Sequence, residues 1–197
     1  KSLYRLKNGK PIWAPQYVCH KVMMGLLDLY RYAGNEQALE VVEKAARWFL
    51  RYTDDIDSDT MARMMNEETG GIMEFWADLY AITGNPDHLT LMRRYERRDL
   101  YESLLNGENP LSNMHANGTI PEMHGAARAY EVTGEERYRR VVERYWQIAV
   151  EECVPFVTGG QTSGEMWTAP NGHSARLGKL NQEHCVVYNM MRLADYL

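Results

Sequence analysis

Three stretches of the chain, Lys21 to Tyr32, Ile72 to Ile82 and Met123 to Val132, are rich in small and apolar residues. The helical stretches that follow them instead gather Glu, Lys and Arg on one face, as in Glu40 to Phe49 and Arg137 to Val150. The first kind suits an inner helix and the second an outer one. Between the two members of each pair stands one recurring signal: Tyr30 with Gly34, Tyr80 with Gly84 and Tyr130 with Gly134, fifty residues apart. Each glycine is followed by a polar pair (Asn35 and Glu36, Asn85 and Pro86, Glu135 and Glu136), which reads as a helix ended at a C′ glycine, a tight turn and a new helix start. Three helical hairpins are therefore predicted, with a further inner helix opening at Val186 to Leu197. The expected fold class is all-α, a layered ring of paired helices with about seven helices present. Because the chain stops where another Tyr-x-x-x-Gly turn would be due, residues 1–197 are expected to form a single incomplete domain, an arc of a larger ring.

Composition narrows the function classes. With 197 residues and 45% hydrophobic content the chain can bury one core, or part of a larger one. A formal charge of -5 leaves no footprint for nucleic acid, and the run from Arg93 to Arg98 reads as a solvated helix face. No apolar run approaches the roughly 18 residues that span a bilayer, so no membrane partner is expected. The opening residues Lys1 to Arg5 form no signal peptide, which leaves the compartment unread. Three cysteines, Cys19, Cys153 and Cys185, contain no Cys-x-x-Cys and argue for reduced thiols.

Candidate chemistry gathers in the segments that enter the inner helices. Glu165 sits between Gly164 and Met166 in a Gly-rich loop, and eighteen residues later Glu183 and Cys185 lead into the last apolar segment. A carboxyl held by its surroundings can protonate a leaving group, and a thiolate beside a carboxylate can hold a soft metal. His20, Glu74 and His115 lie at the corresponding entries of the three earlier inner helices. In a ring of antiparallel hairpins such entries share one rim, so all six residues are expected to converge there. Trp167, in the loop, is the candidate for stacking on a sugar face, whereas Trp76 reads as core. Plainer readings stand beside these: an exposed loop carboxylate at Glu165, a first-turn carboxylate and a buried thiol at Glu183 and Cys185, and hydrogen-bonded structural histidines at His20 and His115.

Five ordered segments make the chain similar to glycoside hydrolase family 127, the group of the β-L-arabinofuranosidases. They are Tyr17 to Lys21 with Gly25 to Asp28, Gly70 to Glu74 before Ala77 to Tyr80, His115 to Pro121, Gly164 to Trp167, and Glu183 to Met190. The resemblance implies an (α/α)6 toroid and a carbohydrate substrate, an arabinofuranoside or related glycan. It also implies a retaining mechanism in which a zinc-bound cysteine thiolate attacks the anomeric carbon. Glu165 then matches the general acid/base, Glu183 and Cys185 match two zinc ligands, and His20 and His115 match positions lining the sugar subsite. The other two ligands, one of them the nucleophile, are implied to come from a Cys-Cys pair beyond residue 197. Residues 1–197 alone are thus expected to be inactive, with zinc incomplete or absent.

The chain departs from the family pattern at His184, Val186 and Met73, where similar segments carry Thr, Cys and Asn. Two other functions remain open on the sequence. One is a non-catalytic carbohydrate-binding or structural module built on the same toroid. The other is a different toroid sugar enzyme of the glucuronyl hydrolase or epimerase type.

Overall fold

Each Tyr-x-x-x-Gly unit is the last turn of an α-helix. Gly34, Gly84 and Gly134 adopt φ of 66°, 66° and 71°, and their N–H groups donate to the carbonyls of Tyr30, Tyr80 and Tyr130 at 2.9, 2.8 and 2.7 Å. That left-handed conformation closes off the helix end and suits glycine, which has no Cβ to collide with the carbonyl. In the second and third copies a threonine staples the turn: Thr83 and Thr133 donate to Leu79 and Ala129 and accept from the N–H groups of Asn85 and Glu135. The next helix is then capped by Asn35 or Asn85, whose side chains accept the N–H of Ala38 and Asp87.

The structure, a computed structural model, describes residues 10–67 and 71–197. Lys1 to Arg5 and Gly70, used above, lie outside them. The helices are α1 (Pro15–Ala33), α2 (Glu36–Asp54), α3 (Ser58–Glu67), α4 (Ile72–Thr83), α5 (Pro86–Arg94), α6 (Arg98–Leu105), α7 (Ala116–Thr133), α8 (Glu136–Gln147) and α9 (His184–Asp195). Among the described residues there is no strand, and an isolated antiparallel bridge joins His115 to Met166. The all-α hairpin architecture expected from the sequence is the one observed. Two details differ. The connections between hairpins, expected as loops, contain the short helices α3 and α6, and α8 runs into a π-helical turn, Ile148–Glu152. Helices α1, α7 and α9 also begin early enough to take in Cys19, His20, Ala116 to Pro121 and Cys185.

The chain forms two compact units, Lys1–Glu96 and Arg97–Leu197. In the first, α1 pairs with α2 and α4 with α5, while α1 lies beside α4 and α2 beside α5. Inner and outer layers follow directly. Helix α4 buries eight consecutive residues from Ile72 to Leu79, so it is enclosed on all sides, whereas α2 buries only Ala38, Val42, Ala46, Phe49 and Thr53 at helical spacing. Phe49, Trp76 and Tyr95 pack ring on ring, and the Tyr95 hydroxyl donates to Gln16 at 2.6 Å.

Arg94, expected on a solvated face, instead joins the two outer helices: its guanidinium donates to the Leu50 carbonyl, Thr53 and Asp54. The second unit repeats the scheme, with α7 paired to α8 and flanked by α9, and α6 against α8. Arg97 of the same basic run pairs with the buried Glu122 at 3.2 Å. Met23, Met64, Met65 and Met190 are buried in the core, while Met191 is exposed.

Candidate catalytic and metal site

The loop that carries Glu165 is held along the entry to α7. The N–H of Ala116 donates to the Glu165 carbonyl at 2.6 Å, Trp167 donates to the Met114 carbonyl at 2.9 Å, and Asn113 donates to the Trp167 carbonyl at 2.9 Å. This short ladder places His115, the N-cap residue of α7, against Glu165, with Nε2 3.2 Å from a carboxylate oxygen. Gly118 makes room for the imidazole, since a methyl there would stand 3.3 Å from Nδ1. Glu165 itself adopts φ of 56°, a left-handed conformation costing on the order of 1 kcal/mol in a non-glycine residue, and its neighbours over-determine it.

Trp167 anchors the ladder from beneath. It is 0% exposed, its indole N–H donates to the Tyr145 hydroxyl at 3.0 Å and to Thr119 at 3.2 Å, and those two hydroxyls meet at 2.8 Å. The expectation that Trp167 stacks on a sugar is corrected here: the ring is in the core, because its one polar group finds both partners there. Tyr145 belongs to no sequence motif and Thr119 merely lies within the His115 to Pro121 segment, so their place on the inward faces of α8 and α7 is what reveals them.

Cys185 and Glu183 come from the start of α9, where Glu183 is the N-cap residue. The preceding Gln182 is again left-handed, with φ of 58°, and its N–H donates to the Gln161 carbonyl at 2.9 Å. One ligand atom from each of Glu165, Glu183 and Cys185 lies within 4.8 Å of the others, and the Cys185 thiol donates to Glu183 at 3.8 Å. Three acidic groups this close disfavour one another's charge. Burial first, then the Glu183 carboxyl, holds the Glu165 carboxyl above the usual carboxylate range, against the opposing pull of the Cys185 thiol and of His115. Burial first, then Glu165, pushes the Cys185 thiol up to about 11. A cation at this point would reverse both effects.

The sequence-predicted residues of the second unit, His115, Glu165, Glu183 and Cys185, are thus together. His20 and Glu74 belong to the first unit, where each is buried in the opening turns of an inner helix. Gln161 and Thr162, which no motif flagged, are also buried just ahead of Glu165, and their side-chain polar atoms find no hydrogen-bond partner among the described residues.

Comparison with known proteins gives one match over nearly the whole chain. The model of the family described as β-L-arabinofuranosidase, GH127 catalytic domain, covers residues 2–197. No curated protein matches the chain.

Proposed function

Since the chain belongs to the GH127 catalytic-domain family, and so is a glycoside hydrolase acting on carbohydrate, we propose that it releases terminal arabinofuranose from β-L-arabinofuranosides with Glu165 as proton donor. The observation that carries this reading is the Glu165 carboxyl, held close to Glu183, Cys185 and His115 and shifted toward its protonated form. A carboxyl that keeps its proton nearer neutrality can give it to the glycosidic oxygen as the bond breaks, and the resulting carboxylate can then take a proton from water. His115 favours that carboxylate once formed. Its side chain is 53% exposed against 16% for Glu165, so the pair is approached from the His115 side.

Glu165 and Glu183 do not suit an inverting acid and base, which need roughly 6.5–9.5 Å between them to admit a water. Their ligand atoms lie within 4.8 Å. Glu183 is better suited to holding a metal with Cys185. Tetrahedral zinc with its usual bond lengths would set a sulfur and an oxygen ligand about 3.6 Å apart, close to the 3.8 Å between Cys185 Sγ and Glu183 Oε2. The residues therefore fit zinc, with Glu183 and Cys185 as two of its ligands in this reading. When bound, zinc would keep a thiolate deprotonated and in place as nucleophile. The alternative of a non-catalytic module has against it a carboxyl already shifted toward acid duty, and a glucuronyl hydrolase or epimerase has against it the family itself.

Glu165→Gln and Cys185→Ser in the enzyme test the assignment. The amide keeps the shape but has no proton to give, so turnover of an unactivated arabinofuranoside should fall on the order of 10²-fold or more, with zinc content by mass spectrometry unchanged. Cys185→Ser should lower zinc content and turnover together. Full activity in the first variant, or undiminished zinc in the second, contradicts the role given to that residue.

A further inference from the structure

Two glycines lie where the loop bearing Glu165 meets the segment leading to Glu183. A methyl added at Gly178 would stand 2.5 Å from Ser163 Cβ and 2.6 Å from its Oγ. One added at Gly160 would stand 3.0 Å from the Gln182 Cα. Neither glycine has a positive φ, so an alanine backbone would fit at both, and only the closeness of the opposite segment requires glycine. Hydrogen bonds run across the same seam: Gln182 N–H to the Gln161 carbonyl at 2.9 Å, and the Thr158 hydroxyl to the Gln182 side chain at 2.7 Å. The Arg176 guanidinium donates to Asn113, which fixes the far end of the segment to the approach of α7. Ser163 is two residues from Glu165, and Gln182 adjoins Glu183. The spacing of the two carboxyls is therefore set at this seam.

We propose that Gly178 and Gly160 are positioning residues for the reaction: their missing side chains let the acid/base loop and the metal-ligand segment close on each other, and that closure places Glu165 against Glu183 and Cys185. The inference rests on the hydrolase reading above. Carbon atoms settle at about 3.5 Å, so Gly178→Ala forces the segments apart by about 1 Å, because Ser163 Cβ is attached directly to the backbone and cannot rotate away. A displacement of about 1 Å between reacting groups costs on the order of 10²-fold. The loss has a signature. A displaced general acid matters most where the leaving group needs a proton and least for an activated aryl glycoside. Ser163→Gly removes the opposing atoms, so the double variant should regain both rate and leaving-group profile, while Ser163→Gly alone should stay near wild type.

The experiment measures kcat/KM on an alkyl and a 4-nitrophenyl arabinofuranoside for Gly178→Ala, Ser163→Gly, the double variant and Glu165→Gln, with amide hydrogen exchange at Gln182 as a readout independent of turnover. Support is a loss of about 10²-fold on the alkyl substrate in Gly178→Ala, a clearly smaller loss on the aryl one, faster Gln182 exchange, and recovery of all three in the double variant. Equal losses on both substrates, unchanged Gln182 protection or absence of rescue overturns the proposal. If Gly178→Ala does not fold, Gly160→Ala, with its milder 3.0 Å approach, should show the same substrate-dependent pattern at smaller amplitude, and its absence counts equally against the idea. If Glu165→Gln itself shows no leaving-group dependence, the assignment of Glu165 fails, while the exchange and rescue data still judge the seam.

Discussion

Cys185 sits in the first turn of α9, a place where the helix dipole and free N–H groups ordinarily lower a thiol pKa. Here the Val186 N–H does act in that direction, but burial and the neighbouring Glu165 outweigh it and raise the thiol from 9.0 to about 11. Two units reduce the thiolate fraction at pH 8 about 100-fold. The more basic thiolate is also the better nucleophile, which recovers about 10-fold of that, so alkylation should run about 10-fold slower than for an ordinary exposed thiol. Glu165→Gln removes the carboxylate's charge and its hydrogen bond to the thiol and leaves burial in place. The titration midpoint should therefore drop without reaching 9, and alkylation at pH 8 should quicken about threefold for each unit recovered.

The assay is iodoacetamide modification of the chelator-treated protein across pH 7 to 11.5, followed peptide by peptide. That resolution separates Cys185 from the half-buried Cys19 and the buried Cys153. Chelation matters because a bound metal would hold the thiolate and protect it by a different route. A wild-type midpoint at or below 9, or a midpoint that stays put or rises in Glu165→Gln, would show that Glu165 does not face this thiol as described.

Glu165 also makes a prediction about stability. Its carboxyl is raised in the folded state, so the folded protein holds the proton more tightly, and this group's contribution is fully present below the ordinary value of 4.5 and is lost as pH rises through the raised one. The pH dependence of Tm above pH 4.5 should accordingly be flatter in Glu165→Gln than in wild type, and a steeper decline in the variant would reverse the assigned direction. Trp167→Phe removes the N–H shared by Tyr145 and Thr119 along with part of a fully buried ring, and should cost about 2–3 kcal/mol in urea denaturation. A cost below about 0.5 kcal/mol would mean that the indole does not anchor the Glu165 loop.

The chain's local chemistry determines its hairpins. A glycine four residues after a tyrosine, followed by Asn35, Asn85 or Glu135, ends one helix and starts the next through bonds spanning only a few residues, and three such turns stand where the repeat put them. The signals for α3 and α6 are short, although Asp57, accepting the Thr60 N–H at 2.8 Å, is an ordinary helix-start residue. At the site, residue type together with position at the inner-helix entries and in the family-like segments marked Glu165, Glu183, Cys185 and His115, because few side chains can transfer a proton or hold a metal.

What the sequence could not supply is their separation, and the raised pKa values that follow from it. That separation depends on a bridge between residues 115 and 166, on two glycines fitted against a neighbouring loop, and on an indole turned into the core. Each of these contacts joins positions far apart in the chain, so its energy exists only after the helices have packed. A tryptophan in a polar loop looks available for a ligand until Tyr145 and Thr119 arrive beneath it, and a glycine between Leu177 and Lys179 looks like a turn until Ser163 stands 2.5 Å from where its side chain would be.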